Sequence, residues 1–293
     1  MHSVVLLLGM SVLLGLVGWS LAGKLGLIWA ISTGLLLLSL GSPFSVPMIL
    51  KFYKARNIQP EQAPDLYTLL QWITARAGLK VLPRIYYVPG QAMNAFTLGS
   101  GNNIVIAISD AMLRKLSVRE MAGVLAHEVS HIRNHDLWVM TVADVMSRLT
   151  GLMAMAGYLL LMLYLPLMLF TQQQVPWLGL LILLLAPNLS ALFQLALSRT
   201  REYSADLDAA EITSDPLGLA SALSKIEYHQ GEWLERALFP NKRVSEPSLL
   251  RSHPESAERI KRLKQYAEDH NSLTSSPSLF GRLWPESFIH RKN

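Results

Sequence analysis

Residues 124–136 read VLAHEVSHIRNHD. On a helix, His127 and His131 lie one turn apart on a common face, with Cβ atoms about 5–6 Å apart. Two imidazoles so placed can reach one zinc ion at about 2.0–2.1 Å. Glu128, beside the first of them, can hold the attacking water and take its proton without ligating. The flanking residues favour that helix. Ser117 with Glu120 three residues on fits a capping box, and MAGVLA at 121–126 is small and apolar, as in a helix buried in a core. Ionisable side chains in such a place need partners, which favours a metal site over a chance pattern on an exposed face. His135 continues the four-residue row, but a straight helix cannot wrap three successive turns around one tetrahedral ion, so His135 reads as a surface residue. Leu137 excludes the extended motif with a third histidine six residues beyond the second.

The remaining ligand must then come from elsewhere. With no cysteine in the chain, His, Asp and Glu are the available ligand types. The segment SRTREYSADLDAAE, residues 198–211, offers Glu202 as the third ligand, with Asp206 one helical turn later on the same face. Asp206 can accept a hydrogen bond from a ligand imidazole and fix its tautomer. Asp208 and Glu211 compete for the ligand position, and Asp208 falls on another face of that helix.

Composition places this site on a membrane protein. Of 293 residues, 51% are hydrophobic and 16% are charged, against a charged share of about 25% in soluble domains, and the mean hydropathy is +0.29. Lys24 is the sole Lys, Arg, Asp or Glu before Lys51, and it separates apolar runs at 4–22 and 25–50. Each run is long enough for the roughly 20 residues that cross a bilayer. The start Met-His-Ser lacks the positive region of a signal peptide, and a second apolar run follows at once, so both runs read as membrane helices. A second pair occupies 149–170 and 175–198, where Pro187 is expected to kink the fourth helix and Asn188 to need a polar partner. Lys51, Lys54, Arg56, Arg148, Arg199 and Arg201 flank one side of the four spans and only Lys24 the other, so both polar segments should face the cytoplasm. The basic residues form no long run interleaved with aromatics, which argues against nucleic acid as a partner.

The organisation expected is therefore membrane helices at 1–50, a first catalytic segment at 51–148, a second membrane pair at 149–198, a second catalytic segment at 199–270, and a tail without clear period at 271–293. Within the first catalytic segment, helical spacing marks 64–77, β-branched and aromatic runs mark strands at 84–89 and 103–109, and AMNAFTLGSGNN between them reads as a strand and hairpin closed at Gly99-Ser100-Gly101. Further helices are expected after Arg199, after Asp215-Pro216 and after His253-Pro254.

In sum of motifs, the chain resembles the HtpX-type family of membrane-bound zinc metalloproteases, relatives of the CAAX prenyl proteases. The resemblance covers nearly the whole length and rests on Asn94-Ala95-Phe96, HEVSH with Asn134 and Asp136 after it, two apolar pairs, REYSAD and HPESAERI. It implies an α-helical integral membrane protein with four transmembrane helices and a mainly α, zincin-like (gluzincin) catalytic domain with a small β-sheet. It further implies one zinc ion per chain held by His127, His131 and Glu202, with Glu128 as general base. Asp206 would support a ligand, and His253 and Arg259 would act near the reacting centre. Asn94, Ala95 and Phe96 would present backbone to an extended substrate strand. The implied role is a zinc metalloendopeptidase of the bacterial inner membrane, cleaving damaged or misfolded membrane proteins and peptides on the cytoplasmic side under stress. His253 and Arg259 also have a purely structural reading, as residues of a helix start and an Arg259–Glu255 pair. The family segment more often carries a small residue after Asn-Ala-Phe, where this chain has Thr97.

Three rival readings differ in testable ways. An intramembrane protease is disfavoured by Arg119, Glu120, Arg133, Asn134 and Asp136 around the motif. A CAAX prenyl protease has a larger membrane portion than four helices. A non-catalytic metal-stabilised scaffold would not require Glu128 beside its ligands.

Overall fold

The computed structural model describes residues 2–40, 45–171, 177–238 and 256–271. In chain order the elements are α1 (His2–Leu40), α2 (Ser45–Phe52), β1 (Arg56–Asn57), α3 (Pro64–Arg76), β2 (Arg84–Val88), β3 (Ala95–Leu98), β4 (Val105–Ser109), α4 (Asp110–Lys115), α5 (Val118–Arg133), α6 (Asp136–Thr171), α7 (Trp177–Thr213), α8 (Pro216–Leu238) and α9 (Ser256–Asn271). They fall into two compact units, one of residues 1–44 and 138–200, the other of 45–137 and 201–293.

The first unit is predominantly apolar. Among the described residues, three helical segments are long and apolar enough to cross a membrane, 2–39, 136–164 and 177–213. The first of them is broken: Ala22 and Gly23 leave helical geometry, Gly23 at φ +56°. Beyond the break the chain turns back on itself. A Cβ on Gly26 would stand 1.9 Å from the Gly18 carbonyl oxygen, whereas eight residues of straight helix would part the two by about 12 Å. Leu40 ends α1, and the apolar residues that follow, from Ser45 to Phe52, form the separate helix α2, which clusters with the second unit.

Helix α6 begins at Asp136, well before the apolar run at 149–170. The exposed Asp144–Arg148 pair, 2.8 Å apart, decorates its first third. Pro187 removes the N–H that would bond the Leu183 carbonyl four residues earlier. That carbonyl instead accepts a hydrogen bond from the Tyr158 hydroxyl of α6 at 2.8 Å, which satisfies it inside an apolar bundle. Asn188 finds its partner within its own helix, donating to the Leu184 carbonyl at 3.2 Å. Helix α7 does not stop where its sequence turns polar: it runs unbroken through 199–211 to Thr213. The expected boundary near Arg199 marks a change of surroundings rather than of backbone, because that stretch contains no Gly or Pro and carries Ala205, Ala209 and Ala210 with Arg and Glu, which propagate a helix.

The second unit is a small sheet covered by helices. The strand order is β1-β2-β4-β3, with β2 and β4 parallel and β3 antiparallel to β4, pairing Ala95 with Ile108 and Thr97 with Ile106. VIAIS in β4 is buried at every position, as a central strand covered on both faces must be. The β3–β4 connection turns at Gly99 (φ +93°), where a Cβ would stand 2.0 Å from the Asn103 carbonyl oxygen, so a side chain is excluded. Ser117 and Glu120 form the expected capping box at the start of α5. Glu120 also accepts from Ser221 at 2.6 Å and Lys225 at 2.8 Å, tying α5 to α8. Burial works against the Glu120 charge, but these donors together hold its carboxyl below the usual range. Leu70, Ile73, Ile85, Ile106, Ile108, Leu125, Leu219 and Leu263 are fully buried and form the centre of one apolar cluster. Fully burying each such side chain is worth about 1.5–3 kcal/mol. Gly123, one turn before His127, lets α8 approach closely, since a Cβ there would lie 2.8 Å from the Leu219 backbone.

Candidate metal centre

Two consecutive turns of α5 aim His127 and His131 at one point, with their Nε2 atoms 3.1 Å apart. The opposite wall is α7. Glu202 places Oε2 3.5 Å from His127 Nε2 and Oε1 3.9 Å from His131 Nε2. One ligand atom from each of the three residues lies within 4.8 Å of the others.

Carboxylates hold the far side of both rings. Asp136 Oδ2 is 2.7 Å from His131 Nδ1, and Arg201 lies 2.9 Å from the other Asp136 oxygen. Asp206 Oδ1 is 3.0 Å from His127 Nδ1, an ion-pair contact whose oblique approach falls short of hydrogen-bond geometry. Arg259 clamps Asp206 with two bonds of 2.7 and 2.6 Å and reaches Glu202 at 2.9 Å with its remaining nitrogen. The guanidinium is buried at 6% exposure. Each imidazole thus has an Arg–Asp pair behind it.

These residues fit a divalent cation. Tetrahedral zinc with bonds of about 2.0–2.1 Å would separate its ligand atoms by about 3.3 Å, and the observed separations bracket that value. The two Nε2 atoms face one another at 3.1 Å, with a carboxylate beside each Nδ1, a spacing that suits two ligands of one shared cation. Among the described residues, Glu128, Glu202, Asp206 and Asp136 face two guanidinium groups, Arg201 and Arg259, a formal excess of two negative charges for such an ion to balance. The same field acts on His127. Burial disfavours its charge and Arg259 repels it, yet Asp206 and Glu202 push it up to about 9, so in the absence of a metal the site draws in a proton instead.

Glu128 adjoins His127 in the chain and lines the same cleft as the three ligands. Its Oε2 accepts a hydrogen bond from Thr97 Oγ1 of β3 at 2.6 Å. Asn94, Ala95, Phe96 and Thr97 line the same cleft as His127, Glu128, His131, Glu202 and Arg259, with a volume of about 290 Å³. Phe96 leans on Tyr53, ring centroids 5.1 Å apart. Among the described residues no strand pairs with the outer edge of β3. His253 lies outside the described residues.

The other expected residues sort as follows. Asp208 does not face the cleft: it accepts from Ser130 at 2.7 Å and Asn134 at 2.6 Å and pairs with Arg133, fastening α7 to the end of α5. Glu211 and His135 are exposed. Arg259, which could have paired along its own helix, turns into the site. Sequence reading gave Asp136, Arg201 and Thr97 no role in the metal centre. Asp136 reaches back to His131 because His135 adopts φ +55° and breaks the helix between them; Asn-His-Asp, residues that tolerate that conformation, was the available signal.

The peptidase family M48 model matches residues 60–267. Among curated relatives, a protease HtpX homologue of Desulfatibacillum aliphaticivorans is 33% identical, covering 96% of this chain and 94% of its own length. One of Thermococcus sibiricus is 34% identical, with 90% and 95% covered, and one of Persephonella marina 33%, with 93% and 100%. The crystal structure of S. mikatae Ste24p shares the fold at a TM-score of 0.50 and 18% identity; the match covers 80% of this chain and 57% of that one. Matched by the family model over most of its length and by HtpX homologues over nearly all of it, this chain belongs to peptidase family M48 and is a membrane-bound metalloprotease.

Proposed function

We propose that the protein is a zinc-dependent endopeptidase that cleaves damaged or misfolded membrane proteins, and peptides from them, on the cytoplasmic side of the inner membrane. The observation that carries this is the convergence of His127, His131 and Glu202 in one cleft with Glu128 and the open edge of β3. In this reading His127, His131 and Glu202 hold one zinc ion, which when bound supplies a Lewis acid that polarises the scissile carbonyl and lowers the pKa of an attacking water toward about 7. Glu128 accepts the water's proton and delivers it to the leaving amine. Asp136 and Asp206 fix the imidazole tautomers, and Arg201 and Arg259 keep those carboxylates in place. Ala95 offers its backbone to an extended peptide, with Asn94 and Phe96 beside it lining the same cleft. The chain crosses the bilayer four times, α1 contributing two crossings on either side of Ala22–Gly23. That count puts the segments carrying His127 and Glu202 on one side, as one shared metal requires.

The test is hydrolysis of a membrane-protein substrate by zinc-reconstituted protein beside Glu128→Gln. The variant should bind about one zinc per chain and turn over at least about 100-fold more slowly, the low end of what a positioned base contributes. Equal turnover by the two would reject the assignment.

A further inference from the structure

Residues of β3 alternate in two ways at once, and Thr97 stands where both matter. Asn94 pairs through hydrogen bonds with Ser109: the Ser109 N–H donates to the Asn94 carbonyl at 2.9 Å, and the Asn94 N–H donates to Ser109 Oγ at 3.0 Å. In an antiparallel ladder the pairs that exchange hydrogen bonds recur at every second residue. Phe96 therefore directs its N–H and C=O toward β4, and Ala95 and Thr97 direct theirs to the open edge. The Thr97 side chain points a third way, into the core face against α5. It is 6% exposed there, and its hydroxyl lies 2.6 Å from Glu128.

We infer that Thr97 is the positioning residue of Glu128. Its hydroxyl anchors one carboxylate oxygen so that the other faces the scissile bond, and its backbone, at the edge where an extended peptide docks, joins substrate alignment to base alignment. The inference rests on the proposed function and adds the residue that orients its base. Three features support it. An O–H···O⁻ bond of 2.6 Å is in the short, charge-assisted class. Threonine is β-branched and stiff at χ1, so its Oγ1 is fixed almost as firmly as the strand itself. Glu128, by contrast, has three rotatable bonds, and it projects from a helix whose adjoining residues are committed to other partners. A base held at one oxygen keeps a single free oxygen for the proton, and the protein need not reorganise when the peptide arrives.

The experiment compares Thr97→Val, which keeps shape and branching but lacks the hydroxyl, with Thr97→Ser, which keeps the hydroxyl. Both are purified with zinc beside wild type and Glu128→Gln. The expected result for Thr97→Val is a kcat about 10–100-fold lower, the loss that follows from misplacing a catalytic group or its support. Its KM should stay within about twofold, because the backbone at the edge is unchanged. Thr97→Ser should recover most of the loss. A readout independent of turnover accompanies this: the metal-free wild type and Thr97→Val should bind an extended, uncleavable peptide equally, and both should take up about one zinc. If valine disturbs folding, Thr97→Ala gives the same comparison. Wild-type kcat in Thr97→Val while Glu128→Gln is inactive would overturn this inference and leave the proposed function standing. A raised KM at unchanged kcat, or a serine variant as slow as the valine one, would also overturn it, by assigning Thr97 to the peptide edge or to packing. Full activity of Glu128→Gln would overturn the proposed function and this inference together.

Discussion

Replacing Arg259 with methionine isolates the charge at the back of the site from the volume it fills. The native guanidinium makes two bonds to Asp206, of 2.7 and 2.6 Å, and one of 2.9 Å to Glu202. Both arginine and Asp206 are nearly inaccessible, at 6% and 3% exposure. Solvent therefore cannot substitute for the lost partner, and among the described residues His127 at 3.0 Å is the remaining partner of Asp206. Removing one side of a buried pair costs about 3–5 kcal/mol. A cation on Glu202 offsets part of that, so about 3 kcal/mol is expected with zinc and the full range without. At about 2–4 °C per kcal/mol for a domain of this size, the Arg259→Met protein should melt about 6–12 °C lower when zinc-loaded, and lower still after chelation. Zinc affinity should fall about 10–100-fold as Asp206 loses its hold behind His127. Thermal unfolding in detergent, with and without chelator, measures the first effect, and competition with a chromogenic chelator the second. Adding Asp206→Asn closes a cycle: neutralising both partners should cost at least about 1 kcal/mol less than the two single losses together, since each single variant strands a charge that the double variant does not. A melting point within about 2 °C of wild type, or additive losses, would refute the reasoning and reassign Arg259 to packing.

Two further outcomes separate the site from its scaffold. Glu202→Ala should lose zinc on dialysis, whereas Asp208→Ala should retain about one zinc yet unfold about 1–3 kcal/mol more easily, because Ser130, Asn134 and Arg133 lose their shared acceptor; metal analysis paired with thermal melts reads both, and zinc loss confined to Asp208→Ala would put the ligand elsewhere. The chain has no native cysteine, so single cysteines at Glu61, Gln173 and Gln265 can be probed in intact cells with a membrane-impermeant thiol reagent. Lys51, Lys54, Arg56, Arg148, Arg199 and Arg201 against Lys24 predict that only position 173 reacts from outside; reaction at 61 would invert the orientation, and reaction at just one of 61 and 265 would break the shared-metal arrangement.

What could be read in advance follows the range of the interaction. His127, Glu128 and His131 were legible because they belong to one helical period, and the Ser117–Glu120 box because it closes over three residues. Glu202 with Asp206 was legible for the same reason, although the partner histidines come from a segment some 70 residues away in sequence. Contacts between elements carry no such period. Thr97 meets Glu128 across 31 residues and Arg259 meets Asp206 across 53. Nothing local distinguishes Thr97 from another strand threonine, or Arg259 from an arginine paired along its own helix. Asp136 is the instructive middle case. It lies five residues after His131, a spacing that puts the two on different faces of any straight helix, and it reaches the imidazole because His135 breaks the helix first. The two imidazole supports are thus built by opposite means. Asp206 arrives through the regularity of α7 and Asp136 through an interruption between α5 and α6, so a search by helical spacing finds one and must miss the other. Their common feature is a buried carboxylate with an arginine behind it, Arg259 in one case and Arg201 in the other. In a site whose ligands are read from a short motif, the arginines two contacts away are therefore the residues to look for among the unassigned charges, because a buried carboxylate that orients an imidazole needs a countercharge of its own.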